Sequence, residues 1–233
     1  MLGNRMRAAW LPVGILGLTM LFFLGEAMVV DGQPVTVIEL VLFHADMVSR
    51  CAWSDVFACG LWCDWFYLLL PVLEGLPTVL YLCDEHDTAF HRYIISRVGP
   101  KRYFHQSVFT VVLVSIALVC SSVLIFGMVS RLVFPWKVDY GEAEIIGEAV
   151  SQFQVLCGLV RDFLYLLFYS VFLAVLLYFV SCISNSPYVV LTLVFLVNDV
   201  IYEGMLNHIF LVPFFSVALY SLAWLLFGKR WRF

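Results

Sequence analysis

Six long apolar runs alternate with shorter polar segments along the chain. They cover approximately residues 8–30, 64–83, 107–130, 161–182, 187–206 and 208–228. A helix of roughly 20 apolar residues crosses a bilayer, so each run is a candidate for one transmembrane helix. The pattern therefore predicts an all-α, polytopic integral membrane protein with about six transmembrane helices.

The first and the fifth runs are less regular than the others. The first follows the basic start MLGNRMRAAW, but it is longer than the apolar region of a signal peptide and no clear cleavage motif follows it. We therefore expect an uncleaved span. In the fifth run, Asn198, Asp199 and Glu203 interrupt the apolar pattern. This run is either a complete span or a short, broken or re-entrant helix whose backbone is satisfied by protein or water.

Basic residues concentrate in alternate connections between the runs. They are Arg5 and Arg7 before the first run, Arg92, Arg97, Lys101 and Arg102 between the second and third, and Lys229, Arg230 and Arg232 after the sixth. Lys and Arg accumulate on the cytoplasmic side of membrane proteins. We therefore expect a multi-pass protein of the plasma membrane with both termini in the cytoplasm.

The composition agrees with a bilayer environment. The chain is 63% hydrophobic and 13% charged, with a mean hydropathy of +0.97, whereas a soluble domain is about half apolar and about a quarter charged. Six spans leave no room for a soluble domain of typical size. We expect one transmembrane domain over residues 1–233, in contact with membrane lipid and without a nucleic-acid partner.

The seven cysteines include no CxxC pair, so a zinc site is not expected. Cys51, Cys59 and Cys63 cluster between the first two runs. They are either small apolar side chains or members of a Cys51–Cys59 or Cys59–Cys63 disulfide facing an oxidising exterior.

The largest basic connection, DEHDTAFHRYIISRVGPKRYFHQS (Asp84–Ser107), has the pattern of an amphipathic helix. Asp84 or Asp87 is a candidate cap at its start, and Gly99-Pro100 ends it. Its apolar stripe consists of Phe90, Tyr93, Ile94 and Val98. Such a helix either anchors the connection to anionic lipid or docks its apolar face into a groove on a cytoplasmic partner.

The segment LPVLEGLPTVLYLCDEHDTAFHRYIISRVGPKRYFHQSVFTVVLV resembles the unit formed by the second span, loop and third span in type-2 permeases of bacterial ATP-binding cassette (ABC) exporters. SCISNSPYVVLTLVFLV resembles the start of their fifth span. The positions that match in the first segment are Pro71, Pro77, Glu85, Ala89, Tyr93, Ile95, Arg97, Lys101, Arg102 and Tyr103.

The resemblance implies that the loop helix is a coupling helix, which sits in a cleft of a separate ATPase subunit. The docking residues on this helix would be Phe90, Arg92, Tyr93, Ile94, Arg97 and Val98. It also implies that ATP and Mg²⁺ are bound by the partner, and that a second permease subunit, identical or homologous, completes the translocation path.

Three of the carboxylates inside the predicted spans are candidate functional groups. Glu74, between Pro71 and Pro77, is the candidate for the translocation path, since a charge at the bilayer centre costs about 3 kcal/mol on insertion scales. The alternative is a protonated or paired structural carboxyl. Asp199 and Glu203, one helical turn apart, are weaker candidates for a proton relay, and their alternative position is the outer interface.

No motif for catalysis is present. The chain lacks a P-loop, an HExxH and a GxSxG sequence, so we expect no enzyme activity and no cofactor in this chain. The expected function is that of an ABC exporter permease for a hydrophobic or peptide-like substrate. The alternatives are a proton-coupled secondary transporter and a non-transporting membrane protein for immunity or assembly.

Overall fold

A computed structural model of the chain describes residues 2–30, 33–48, 51–61, 64–87, 89–135, 152–184, 186–207 and 212–230. In chain order its elements are α1 (Leu2–Phe23), β1 (Glu26–Val30), β2 (Gln33–Thr36), α2 (Val37–Phe43), α3 (Ala45–Val48), α4 (Trp53–Leu61), α5 (Asp64–Asp87), α6 (Ala89–Val98), α7 (Pro100–Val133), α8 (Gln152–Ile183), α9 (Pro187–Asn207) and α10 (Val212–Arg230). Helices dominate the described residues, which confirms the all-α class.

The two strands form an antiparallel hairpin in which Val30 pairs with Gln33. This hairpin was not predicted. The two residues between the strands are Asp31 and Gly32 in the sequence, a dipeptide favoured in two-residue hairpin loops. The first span was predicted to continue to residue 30, which is wrong because α1 ends at Phe23 and a strand begins at Glu26.

The chain groups into two compact units. The first unit comprises Met1–Leu16, Tyr67–Cys120 and Leu167–Phe233, and the second comprises Gly17–Phe66 and Ser121–Leu166. Helices α1, α5, α7 and α8 contribute residues to each unit. The expectation of one transmembrane domain over residues 1–233 stays a prediction.

An apolar cluster built from α5, α6, α7, α8 and α10 forms the core of the first unit. Its buried members are Leu82, Ile95, Tyr103, Phe104, Val108, Val111, Ala174, Tyr178, Cys182, Ala223 and Phe227. Phe104 is fully buried, and its ring lies 5.5 Å from the Tyr178 ring and 5.4 Å from the Phe227 ring, centre to centre. Such aromatic contacts add to the free energy gained by removing apolar area from water.

The hairpin leads directly into α2, whose start is closed by a capping box. Glu39 N donates to Thr36 Oγ1, and Thr36 N donates to the Glu39 carboxylate at 3.0 Å. The carboxylate accepts hydrogen bonds from the Thr36 backbone N–H and from Thr36 Oγ1, and these, the backbone one first, hold the pKa of Glu39 below its usual value. The cap therefore fixes the direction in which the chain leaves the hairpin.

Aromatic packing on Phe126 organises another part of the second unit. The Phe126 ring stacks on Phe22 at 5.3 Å and on Phe57 at 5.8 Å, and it meets Phe23 edge-on at 4.9 Å. Gly60 packs so closely that an added Cβ would lie 2.6 Å from two Phe126 ring carbons. The lack of a side chain at position 60 is therefore a packing requirement.

Trp53 ties α4 to α7 within the second unit. Its indole Nε1 lies 3.2 Å from the Gly127 carbonyl oxygen and 3.1 Å from Ser130 Oγ. Its backbone N–H donates to the Pro135 carbonyl at 2.9 Å. One residue therefore satisfies polar groups at the end of a long apolar helix.

Cys59 carries a thiol in the structure, so the Cys51–Cys59 disulfide is not present. Burial raises the pKa of both the Cys51 and the Cys59 thiol, which lowers their reactivity. Cys63 lies outside the described residues.

Two helices are long and apolar enough to cross a bilayer within the part of the chain that the structure describes. They are Pro100–Val133 and Leu156–Ile183, with mean hydropathies of 2.8 and 2.5, and they contain the third and fourth predicted spans. Shorter apolar helices at Leu11–Phe23, Tyr67–Leu80, Pro187–Val200 and Val212–Gly228 lie within the other four. Membrane association thus has weak structural support, and the count of six spans stays a prediction.

Gly60→Ala is expected to lower the free energy of unfolding by about 1–3 kcal/mol, because the new methyl group would overlap the Phe126 ring. Gly158→Ala is the matched control in α8. No atom lies within 4 Å of a Cβ added there, and alanine has a helix propensity about 1 kcal/mol better than glycine. Thermal unfolding of the full chain in detergent measures both variants, and equal melting temperatures would contradict the packing argument.

Candidate functional site

Two prolines in α5 flank Glu74. Because proline has no N–H, each one leaves the carbonyl four residues earlier without its helical donor. For Pro71 that carbonyl belongs to Tyr67, and for Pro77 it belongs to Leu73. A helix in lipid needs other partners for such groups, so the prolines create two places where neighbouring elements must supply contacts.

Asn198 of α9 satisfies the first of these carbonyls. Its side-chain Nδ2 donates to the Tyr67 carbonyl at 3.0 Å, and its Oδ1 accepts a hydrogen bond from the Tyr169 hydroxyl of α8. All three residues are at most 1% exposed. One amide side chain therefore links α5, α8 and α9 at the level of Pro71.

The carbonyl of Leu73 lies where α1 approaches α5. A Cβ added to Gly14 would lie 3.3 Å from the Leu73 carbonyl oxygen and 2.9 Å from Leu118 Cδ2. The missing side chain at Gly14 is what allows α1, α5 and α7 to approach this closely. Small residues have this role in packed transmembrane helices.

Glu74, which lies between Pro71 and Pro77 in α5, is completely buried. The hydroxyls of Ser170 in α8 and Ser115 in α7 lie next to its carboxyl. No described residue, however, forms a hydrogen bond of normal geometry with either carboxyl oxygen. Ser115 and Ser170 are also fully buried. Three helices thus bring one acid and two hydroxyls together within an apolar core.

This arrangement can hold a proton or, after a small rearrangement, a cationic group. The two serines each supply one donor and two acceptor lone pairs, so they are able to solvate either form of the carboxyl. The Thr78 hydroxyl does not compete, because it lies 3.2 Å from the carbonyl oxygens of Glu74 and Gly75 and bonds to the backbone. The described residues contain no group of three or more His, Cys, Asp or Glu side chains placed to hold a metal ion.

Of the two weaker carboxylate candidates, Asp199 is not part of the buried site around Glu74. Helix α9 runs without interruption from Pro187 to Asn207, so of the alternatives for the fifth run, a helix broken at Asn198 and Asp199 is wrong. Within it Asn198 is buried, whereas the neighbouring Asp199 is exposed. The Glu203 side chain and His208 lie outside what the structure describes.

Helix α6 is the second candidate site, and its end agrees with the sequence analysis. It runs from Ala89 to Val98 and stops at Gly99, whose φ is +88° and whose N–H donates to the Ile95 carbonyl at 2.9 Å. Pro100 begins α7. Of the two candidate caps, Asp84 is wrong, because α5 continues through it to Asp87. The Asp87 side chain lies outside what the structure describes.

The two faces of α6 are distinct. Ile95 is 1% exposed and belongs to the apolar cluster of the first unit, and Ile94 packs partly against the same cluster. Tyr93 and Val98 are 57% and 39% exposed. The sequence analysis placed Tyr93, Ile94 and Val98 on one stripe and did not assign Ile95 its role as the anchor.

The exposed face also carries charge. Arg97 is exposed, and its guanidinium carbon lies 6.0 Å from the centre of the Tyr93 ring, which is a cation–π distance. The side chains of Phe90 and Arg92 lie outside what the structure describes. We call the exposed residues Tyr93, Arg97 and Val98 the docking face, after the role predicted for them from the sequence.

Sequence reasoning missed Asn198, Ser115, Ser170 and Tyr169 as members of the polar site. Asn198 was treated as an interruption of the fifth run. The spacing of Pro71 and Tyr67 indicates that a donor is needed, but the sequence does not indicate which helix supplies it. The serines have no local signal, because one serine in an apolar helix is equally typical of simple packing.

Asn198→Ala is expected to lower the free energy of unfolding by about 1–2 kcal/mol, because it leaves the buried Tyr67 carbonyl and the Tyr169 hydroxyl without this partner. Asp199→Ala is the matched control at the adjacent, exposed position, and its stability should change by less than about 0.5 kcal/mol. Equilibrium unfolding in mixed micelles measures both, and a larger loss in the Asp199 variant would refute the assignment.

No protein-family model, curated protein or solved structure matches this chain.

Proposed function

We propose that this chain is the membrane-spanning permease subunit of an ABC exporter, with six spans, both termini in the cytoplasm and α6 as its coupling helix. The observation that carries the proposal is the two-sided character of α6. One side is anchored in the helix core through Ile95, and the other presents Tyr93, Arg97 and Val98 for a partner.

The anchor gives α6 a way to transmit force. Ile95 packs in one cluster with Leu82 of α5, Phe104 of α7, Tyr178 of α8 and Phe227 of α10. Packed cores shift between discrete arrangements rather than deform continuously. A displacement of α6 by an ATPase would therefore move the cytoplasmic ends of four helices together.

The docking face defines the chemistry of the partner. An aromatic ring, a guanidinium and an aliphatic side chain fit an apolar cleft with a carboxylate at its rim. That partner is a cytoplasmic ABC ATPase, which binds ATP and Mg²⁺ in its own chain. A second permease subunit would complete the path for a hydrophobic or peptide-like substrate.

Tyr93→Ala is expected to weaken binding of the ATPase roughly 30-fold, as loss of an aromatic anchor at an interface costs about 2 kcal/mol. Ser96→Ala is the matched control on the same helix, because Ser96 is exposed and its hydroxyl bonds to the Tyr93 carbonyl within α6. The measurement is the amount of ATPase that copurifies with each variant in detergent, with ATP hydrolysis in the eluate as a second readout.

A stoichiometric ATPase that is lost with Tyr93→Ala and kept with Ser96→Ala supports the proposal. A pure preparation of this chain alone, from cells expressing its neighbouring genes, contradicts it. Binding that follows only the charge of Arg92, Arg97, Lys101 and Arg102 contradicts docking through the apolar face.

Glu74 favours a second candidate function, a proton-coupled secondary transporter. A buried carboxyl without a hydrogen bond of normal geometry, flanked by Ser115 and Ser170, is the type of group that carries a proton through the interior of a membrane protein. In this case the carboxyl binds and releases the proton as the bundle alternates between its two open states. No ATPase partner is needed.

Glu74→Gln separates the two candidates, because it preserves shape and removes the exchangeable proton. For the proton-coupled transporter we expect complete loss of substrate accumulation driven by a pH gradient in proteoliposomes. Asp199→Asn is the control and should retain accumulation, since Asp199 is exposed whereas Glu74 is buried. Transport that survives in the Glu74 variant and depends on ATP would eliminate the secondary transporter.

A further inference from the structure

A groove beside the first three turns of α7 has two chemically different ends. Its polar end is formed by Lys101, Arg102, His105 and Gln106, and its apolar end by Phe109, Val112 and Val175. The groove has a volume of about 970 Å³. Lys101 and Phe109 are separated by eight residues, or about 12 Å along the helix axis.

The side chains of His105, Tyr220 and Trp224 form an aromatic wall that borders the polar end. The His105 Nδ1 and the Tyr220 hydroxyl are hydrogen-bonded, and the His105 ring stacks on Trp224 at 5.9 Å with 13° between the planes. Beyond this wall a second, smaller groove is lined by Lys101, His105, Tyr220 and Trp224. With Nδ1 engaged by Tyr220, the other imidazole nitrogen, Nε2, is left for a ligand.

The charge of the polar end is uncompensated within the described part of the chain. Lys101 and Arg102 are exposed, and no carboxylate is among the described residues that line either groove. The ion pair found among the described residues, Arg161–Asp162, involves neither of them. The first turn of α7 adds the positive end of its helix dipole.

We propose that this groove binds an anionic phospholipid. The phosphate would be held by Lys101, Arg102 and His105, and an acyl chain would lie along Phe109, Val112 and Val175. A soluble phosphate compound would use the cationic end alone, whereas the whole groove matches an anion that continues into hydrocarbon. The inference depends on α7 crossing the membrane, which is part of the proposed function, and does not depend on an ATPase.

The test uses the full chain, delipidated in detergent and mixed with equal amounts of phosphatidylglycerol and phosphatidylcholine. Native mass spectrometry then gives the affinity for each lipid. We expect tighter binding of phosphatidylglycerol. Lys101→Gln with Arg102→Gln should weaken this binding by roughly 25-fold, about fivefold for each charge, and leave phosphatidylcholine binding unchanged.

Arg92→Gln with Arg97→Gln is the charge-matched control on α6, and it should keep the preference for phosphatidylglycerol. Equal affinity of the parent chain for the two lipids would overturn the proposal. So would an equal loss of phosphatidylglycerol binding in the control, because that would indicate attraction to net charge rather than a site.

Glycerol phosphate distinguishes the two sources of a phosphate group. In large molar excess it should not displace phosphatidylglycerol, and Phe109→Ser should weaken binding of the lipid. Displacement by glycerol phosphate together with normal lipid binding in the Phe109 variant would overturn the lipid assignment. If the chain proved to have no ATPase partner, the expected results of these lipid measurements would not change.

Discussion

The hydrogen bond from Asn198 to the Tyr67 carbonyl is the interaction on which the interior of the first unit depends. Pro71 removes the helical donor of that carbonyl, and a buried carbonyl that water does not reach needs another donor. The replacement must come from another helix, and the same amide then accepts from Tyr169. A single proline therefore determines which polar side chain α9 places inside and how α5, α8 and α9 are held together.

The buried polar side chains beside the middle of α5 lie in three layers along this helix. Asn198 and Tyr169 occupy the level of Pro71, Glu74 with Ser115 and Ser170 the next, and Thr78 the one after, where it bonds to the helix backbone. The first and third layers are satisfied by their neighbours. Glu74 forms no hydrogen bond of normal geometry with any described residue, and this difference makes it the candidate for proton or substrate chemistry.

Helix α6 relates this interior to the surface. Its buried Ile95 belongs to the same cluster as Phe104 and Tyr178, and its exposed Tyr93 and Val98 stand on the other side. The first turn of α7 then follows directly after Gly99 and Pro100 with Lys101 and Arg102. The exposed face of α6 and the groove beside α7 are thus adjacent in sequence, and both adjoin the aromatic packing around Phe104.

The sequence by itself determined the helical class, the third and fourth apolar helices and the end of α6 at Gly99-Pro100. It also singled out Glu74 as a carboxylate between two prolines within an apolar run. These features depend on local pattern and on the backbone properties of glycine and proline. Tertiary structure decided what the pattern leaves open. In the folded chain Asn198 is buried and Asp199 exposed, Ile95 packs α6 against the apolar cluster, and Ser115 and Ser170 lie next to Glu74. These outcomes depend on which helices meet and at what rotation. Contacts between residues far apart in the chain fix that rotation, and no local period encodes it.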